Sequence, residues 1–193
     1  MREVRLGGER ILNYVKATLY AYPQMERIGK SYGDHIANRA ILSHNGRVAT
    51  EKLMVYLAEE IEEKRKIERL KAVLDKLLSS LSTEEKLLLD VRYFGKMEEV
   101  KRIFAAVKAG IAQGEYAKIP IWSERTYFRR QASLLKKIAS RLKAQGVDKE
   151  EFLKEYAGLD GIGHIYRYLE LRSEETSVLK KETEFLAFLE EIR

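Results

Sequence analysis

WSERTYFRRQASLLKKIASRLKA, residues 122–144, shows the clearest helical period in the chain. It holds no glycine and no proline, and its apolar positions recur at helical spacing. Placed at 100° per residue, Tyr127, Phe128, Gln131, Leu134, Leu135, Ile138, Ala139 and Leu142 gather on one side. Arg125, Thr126, Arg129, Arg130, Ser133, Lys136, Lys137 and Ser140 gather on the other. That is an amphipathic helix with one wide apolar face for a core. Ser123 is a good N-cap, and Trp122 just before it can staple onto Tyr127 at the fourth helical position.

The same period extends outward in both directions. LSTEEKLLLDVRYF (81–94) opens with a capping box, in which the Ser82 hydroxyl meets the Glu85 amide and the Glu85 carboxylate returns to the Ser82 amide. Leu87, Leu88, Val91 and Phe94 supply its buried stripe, and Gly95 can end it. A helix over about 97–112 is expected to bury Val100, Ile103, Phe104, Val107 and Ile111, and GEYAKIPIW (114–122) reads as a loop. Downstream, Asp148 with Glu151 forms another capping box, with Val147 stapling to Phe152. Two short helices are expected over 148–157 and 162–172, separated by GLDGIG (158–163). A last amphipathic helix carries Val178, Leu179, Phe185, Leu186, Phe188 and Leu189.

Upstream, a helix is expected from Glu9 to about Ala21 on Ile11, Leu12, Val15, Leu19 and Tyr22. Pro23 disfavours helical geometry at Tyr22 and can open a second helix, with Met25, Ile28, Tyr32 and Ile36, reaching Leu42. SHNG (43–46) reads as a turn. A long helix then runs from about Thr50 to Ser80, with one face formed by Leu53, Leu57, Ile61, Ile67, Leu70, Leu74, Leu77 and Leu81. Its middle, EEIEEKRK (59–66), is almost entirely charged. The seam Ile67, Leu70, Leu74 and Leu77 suits self-association into a homo-oligomer, or packing on the chain's own N-terminal helices. Glu60 and Glu63 fall where that seam continues upstream, which argues against a full zipper.

Alternating strand patterns are almost absent, VRYF (91–94) being the best. The chain therefore reads as all-α, in three segments: a helical N-terminal region with a long helix (1–80), a central domain (81–145) and a helical C-terminal region (146–193). Its 193 residues, 45% hydrophobic and 34% charged, suit a folded protein. With no cysteine there is no disulfide framework and no thiolate chemistry, which is compatible with a reducing cytoplasm. Charges such as Lys16 interrupt the apolar stretches, so no membrane span is expected. MREVRLGGER lacks the apolar run of a secretory signal.

The charge is concentrated. Residues 123–144 hold seven Lys or Arg against one acid, Glu124, so this segment alone carries the equivalent of the chain's whole net charge of +6. Such a helix is the electrostatic footprint of polyanion binding, since each neutralised phosphate releases counterions. Arg can fork onto guanine O6 and N7, and Ser and Thr can serve base or phosphate. Arg125, Thr126, Arg129, Arg130 and Ser133 are the candidates for base edges of double-stranded DNA, and Lys136, Lys137 and Arg141 for phosphate or polymerase contacts. A basic amphipathic helix is also often a solvated face, or meets acidic membrane or an acidic partner; the bulky apolar face disfavours membrane.

LSTEEKLLLDVRYF followed by WSERTYFRRQASLLKKIASRL (122–142) resembles region 4 of bacterial sigma factors. In that family a helix opening LS-x-E-E/R and ending RYF packs against a helix-turn-helix whose last helix enters the major groove. The pair is more similar still to small phage-associated regulators of the ArpU and RinA type, whose N-terminal halves also carry a YP dipeptide (Tyr22-Pro23 here) and a long charged helix. The resemblance covers about residues 10–145 and implies a sequence-specific DNA-binding transcriptional regulator. The family's tight turn, IA-x-x-L-G-x-S, is replaced here by the long segment between Phe94 and Ser123. Two forms are open: a helix-turn-helix with an expanded loop, or a three-helix core that no longer binds DNA. The competing class is a protein–protein module that meets RNA polymerase or a second copy.

The remaining constellations point to no chemistry. Asp34, His35 and His44 lack the spacing that places two metal ligands on one helix face, and His164 stands alone. GLDGIG follows no strand and precedes no Lys-Ser/Thr pair, so it is not a phosphate cradle. Adjacent glutamates diverge by 100° on a helix and read as solvated faces. Arg92, Tyr93 and Tyr116 are expected in packing rather than on nucleic acid. No enzyme activity, metal or cofactor is expected.

Overall fold

The computed structural model describes residues 12–44, 50–171 and 176–191, and among them every regular element is helical. The helices are α1 (Asn13–His44), α2 (Thr50–Ser79), α3 (Thr83–Arg92), α4 (Met97–Lys108), α5 (Glu124–Ala144), α6 (Lys149–Glu155), α7 (Ile162–Leu171) and α8 (Thr176–Glu191), with a 3₁₀ turn over Gly114–Lys118. The expected helix start at Glu9 and Ile11, part of the SHNG turn, and the side chains of Leu42, His44, Val178 and Leu179 lie outside the described residues.

α1 and α2 form a long antiparallel pair, and α7 lies along α1. α5 packs on α1, α2 and α3, while α3 and α4 are closed by α8. Residues from all three segments share one buried core: Leu19 and Met25 of α1, Leu70 and Leu74 of α2, Leu88 and Phe104, Ile138 of α5, Phe152 and Phe185. Asn13 ties the first segment to the last, its side-chain amide donating to the Leu169 carbonyl at 3.1 Å and to Glu170 at 3.1 Å. Lys66 pairs with Glu155 at 3.0 Å. No described helix is long and apolar enough to cross a membrane.

Three local expectations are corrected. The break at Pro23 is absent: α1 runs through it as one helix of 32 residues. Leu19, Ala21 and Met25 are buried on both sides of the proline, so tertiary packing outweighs the lost backbone bond. α4 stops at Lys108, because Gly110 takes a left-handed φ of 70°. The Gly110 amide donates to the Val107 carbonyl at 3.1 Å and the Ile111 amide to that of Ala106 at 3.0 Å, a Schellman closure. Ile111 therefore lies beyond the helix and is exposed rather than buried. Third, Phe128 is 40% exposed although its neighbour Tyr127 is fully buried, because it stands at the margin of the apolar face.

The Ser82 capping box forms in full, and at Asp148 the side-chain half of the box forms. Ser82 accepts from the Glu85 amide at 3.2 Å and donates its own amide to the Glu85 carboxylate at 3.0 Å. Asp148 accepts from the Glu151 amide at 2.9 Å, and Val147 and Phe152 are both buried. The seam Ile67, Leu70, Leu74 and Leu77 is buried within the chain, the second of its two expected fates.

Candidate nucleic-acid interface

Two buried anchors fix how α5 is rotated. At its start the Ser123 hydroxyl accepts from the Thr126 amide at 3.4 Å and lies 2.9 Å from the Thr126 hydroxyl. Trp122 is buried edge-on against Phe104 at 4.7 Å and sits 6.2 Å from Tyr127, the expected staple. Its indole N–H donates to Glu84 at 2.8 Å. One turn further, the Gln131 amide donates to the Leu88 carbonyl at 3.1 Å and to the Tyr127 hydroxyl at 3.0 Å. A buried amide with both N–H groups used holds the helix in one rotation.

That rotation divides the basic residues into two sets. Arg130 pairs with Glu84, and Lys137 with both oxygens of Glu85 at 2.6 and 2.8 Å. Arg141 donates to the Ser80 hydroxyl at 2.6 Å. All three therefore point along the flank of α5 toward the start of α3, and two of them meet carboxylates. Burial acts to raise the Glu85 carboxyl, but Lys137 and the Ser82 hydrogen bonds outweigh it and hold that carboxyl below its ordinary range.

Arg125, Arg129, Ser133 and Lys136 form the second set, all exposed. Ser140 and Lys143 continue the same line. At 100° per residue Arg125, Arg129, Lys136 and Lys143 fall within about 40° of one another and span about 27 Å of helix. Thr126 is half-buried and engaged with Ser123. Lys143 was legible as a site residue, since it lies eighteen positions, five full turns, after Arg125. The charge count included it but the groove-facing set did not.

The chain matches no protein-family model, no curated protein and no solved structure. α3, α4 and α5 follow one another as three helices, but α4 packs chiefly on α3, α8 and the 3₁₀ turn. Residues 109–123 separate α4 from α5, so the tight turn of a helix-turn-helix is not formed.

The other candidates stay apart. Asp34, His35 and His164 are exposed, and among the described residues no group of three His, Cys, Asp or Glu could hold a metal ion. His164 stands 3.4 Å from the Arg167 guanidinium. GLDGIG is an interhelix turn. Tyr93 is buried 4.7 Å from Tyr20, whereas Tyr116 is exposed.

Proposed function

We propose that this chain is a sequence-specific DNA-binding transcriptional regulator, of the phage-associated kind its motifs resemble, with α5 as the reading helix. One observation carries the proposal: the exposed line of Arg125, Arg129, Lys136 and Lys143 is uncovered by any other described element and presents no acid along its length. Arg125 and Arg129 stand in the first two turns, the part of a recognition helix that reaches base edges. Each bidentate guanine contact contributes about 1–3 kcal/mol of discrimination. Lys136 and Lys143 lie further along and suit phosphates, with Ser133 between the two groups. Arg130, Lys137 and Arg141 change role in this reading. They position α5 by binding Glu84, Glu85 and Ser80, and are not the principal DNA contacts.

The long 109–123 connection supports a second reading, in which the same stripe meets an acidic protein surface such as that of RNA polymerase. Selection of bound sequences from random duplex DNA, followed by titration at two salt concentrations, tests the choice. An enriched motif whose affinity exceeds that for scrambled duplex by about 10³ or more supports specific DNA binding. Binding with no preference, or none, favours the protein partner.

A further inference from the structure

Phe128 has no place in the core that takes the rest of its face. Tyr127, Leu134, Leu135 and Leu142 are buried, whereas the Phe128 ring is 40% exposed and lies outside the shared core. Tyr127, fully buried, holds it edge-on, with ring centroids 5.4 Å apart and planes 70° from each other. It is therefore a supported ring with an open face. At 100° per residue it stands about 60° from Arg125 and about 80° from Lys136, with exposed Ala132 between them. Glu124, the single acid of the helix, falls about 40° beyond the ring, on the side away from the stripe.

The stripe thus carries an apolar border beside its guanidiniums, and the major groove offers few groups that suit such a border. Base edges there present acceptors and donors, and only thymine adds a methyl group. A ring laid over an acceptor or donor displaces its water and returns no hydrogen bond, which is costly. Laid over the thymine methyl, the same ring buries apolar surface on both partners. Arg125 and Phe128 are about 4.5 Å apart along the helix axis, close to the roughly 3.4 Å rise of one base step. The ring's partner therefore falls beside the guanine given to Arg125.

We infer that Phe128 selects thymine through its 5-methyl group, so that the preferred duplex carries a thymine beside the base read by Arg125. The inference rests on α5 being the reading helix. It adds a requirement that the basic residues cannot supply, since a cation gains nothing from a methyl group.

Titration of the full chain against its selected duplex, with each thymine replaced singly by uracil, tests it and needs no variant protein. Uracil keeps the thymine O4 acceptor and lacks only the methyl. One replacement, beside the position that Arg125→Ala relaxes, should weaken binding about fourfold, the contribution of one buried methyl group. Phe128→Ala should weaken binding to the thymine duplex by a similar factor and bind the thymine and uracil duplexes equally. Its salt slope should stay unchanged, because no charge is removed. Thermal unfolding of this variant separates a lost contact from a lost fold. A uracil scan with no sensitive position, or a thymine preference that survives Phe128→Ala, overturns the inference while leaving α5 as the reader. A loss of affinity alike on every duplex, as for a ring wedged between base steps, overturns it too. Absence of any selected motif removes the reading and the inference together.

Discussion

Lys137 Nζ lies 2.6 Å from one oxygen of Glu85 and 2.8 Å from the other, so the carboxylate that closes the α3 capping box also grips α5. A helix-start residue and a lysine from the basic helix form one junction, with Glu84 holding Trp122 and Arg130 beside it. The start of α3 is thereby the seat on which α5 is oriented.

This junction gives stability an acid limb. Glu85 titrates below its ordinary range when folded, because Lys137 and Ser82 outweigh the opposing effect of burial. Asp75 does likewise: burial raises it, but the Tyr22 hydroxyl at 2.7 Å and Lys71 at 2.9 Å bring it lower. A carboxyl depressed in the folded state stabilises fully above its unfolded pKa, and that stability is lost as pH falls through the folded value. Thermal unfolding between pH 7 and pH 3 should show a falling Tm, and Glu85→Gln should make the fall shallower. An unchanged slope in the variant would remove Glu85 from the account.

Pro23 gives a test of the continuous α1. Its ring nitrogen cannot donate to the Leu19 carbonyl, and the position is exposed. Pro23→Ala restores that bond, while the freer unfolded chain returns part of the gain. A net stabilisation of about 1–2 kcal/mol in urea unfolding is expected from helix propensity. A loss of stability would mean that residues 13–44 are two helices with a required break.

Two glycines of one turn should respond oppositely. A Cβ on Gly163 would stand 2.1 Å from the Ala157 carbonyl oxygen, a backbone atom that cannot swing away, whereas one on Gly158 meets nothing within 4 Å. Gly163→Ala should cost at least ~2 kcal/mol, and Gly158→Ala should lie within ~0.5 kcal/mol of neutral. Chemical denaturation of both variants reads the difference, and similar losses in the two would contradict the close approach.

Legibility in the sequence followed the range of the interaction. The caps at Ser82, Ser123 and Asp148 and the staples at Trp122 and Val147 are local, and all were readable from spacing. Pro23 misled because its local cost is offset by the distant burial of Leu19 and Met25 in the shared core. On α5 the wheel separated apolar from polar but could not divide the polar side. What distinguishes Arg130 from Arg129 is Glu84, forty-six positions away in sequence. Glu60 and Glu63 were visible as a flaw in the seam, but the cavity they line takes Tyr32 and Asp160 from two other parts of the chain.

The two sets of basic residues on α5 should therefore fail differently. Arg125→Ala or Arg129→Ala should cost about 1–3 kcal/mol against a selected duplex, relax preference at one position, and leave Tm unchanged. Lys136→Ala and Lys143→Ala should weaken binding evenly across sequences and reduce the salt slope by about 0.9 each. Lys137→Ala and Arg130→Ala should chiefly lower Tm, since each removes the basic partner of a carboxylate of α3, and should change the salt slope little. Tyr127→Ala, which empties a fully buried site, should cost about 3–5 kcal/mol of stability, while Phe128→Ala at the margin should cost far less. Titrations at two salt concentrations, paired with thermal unfolding of each variant, separate the classes. If Arg125 and Arg129 can be removed without loss of affinity or preference, α5 is not the reader. The stripe would then be left to an acidic protein surface, and the likeness to sigma region 4 would be one of helix packing alone.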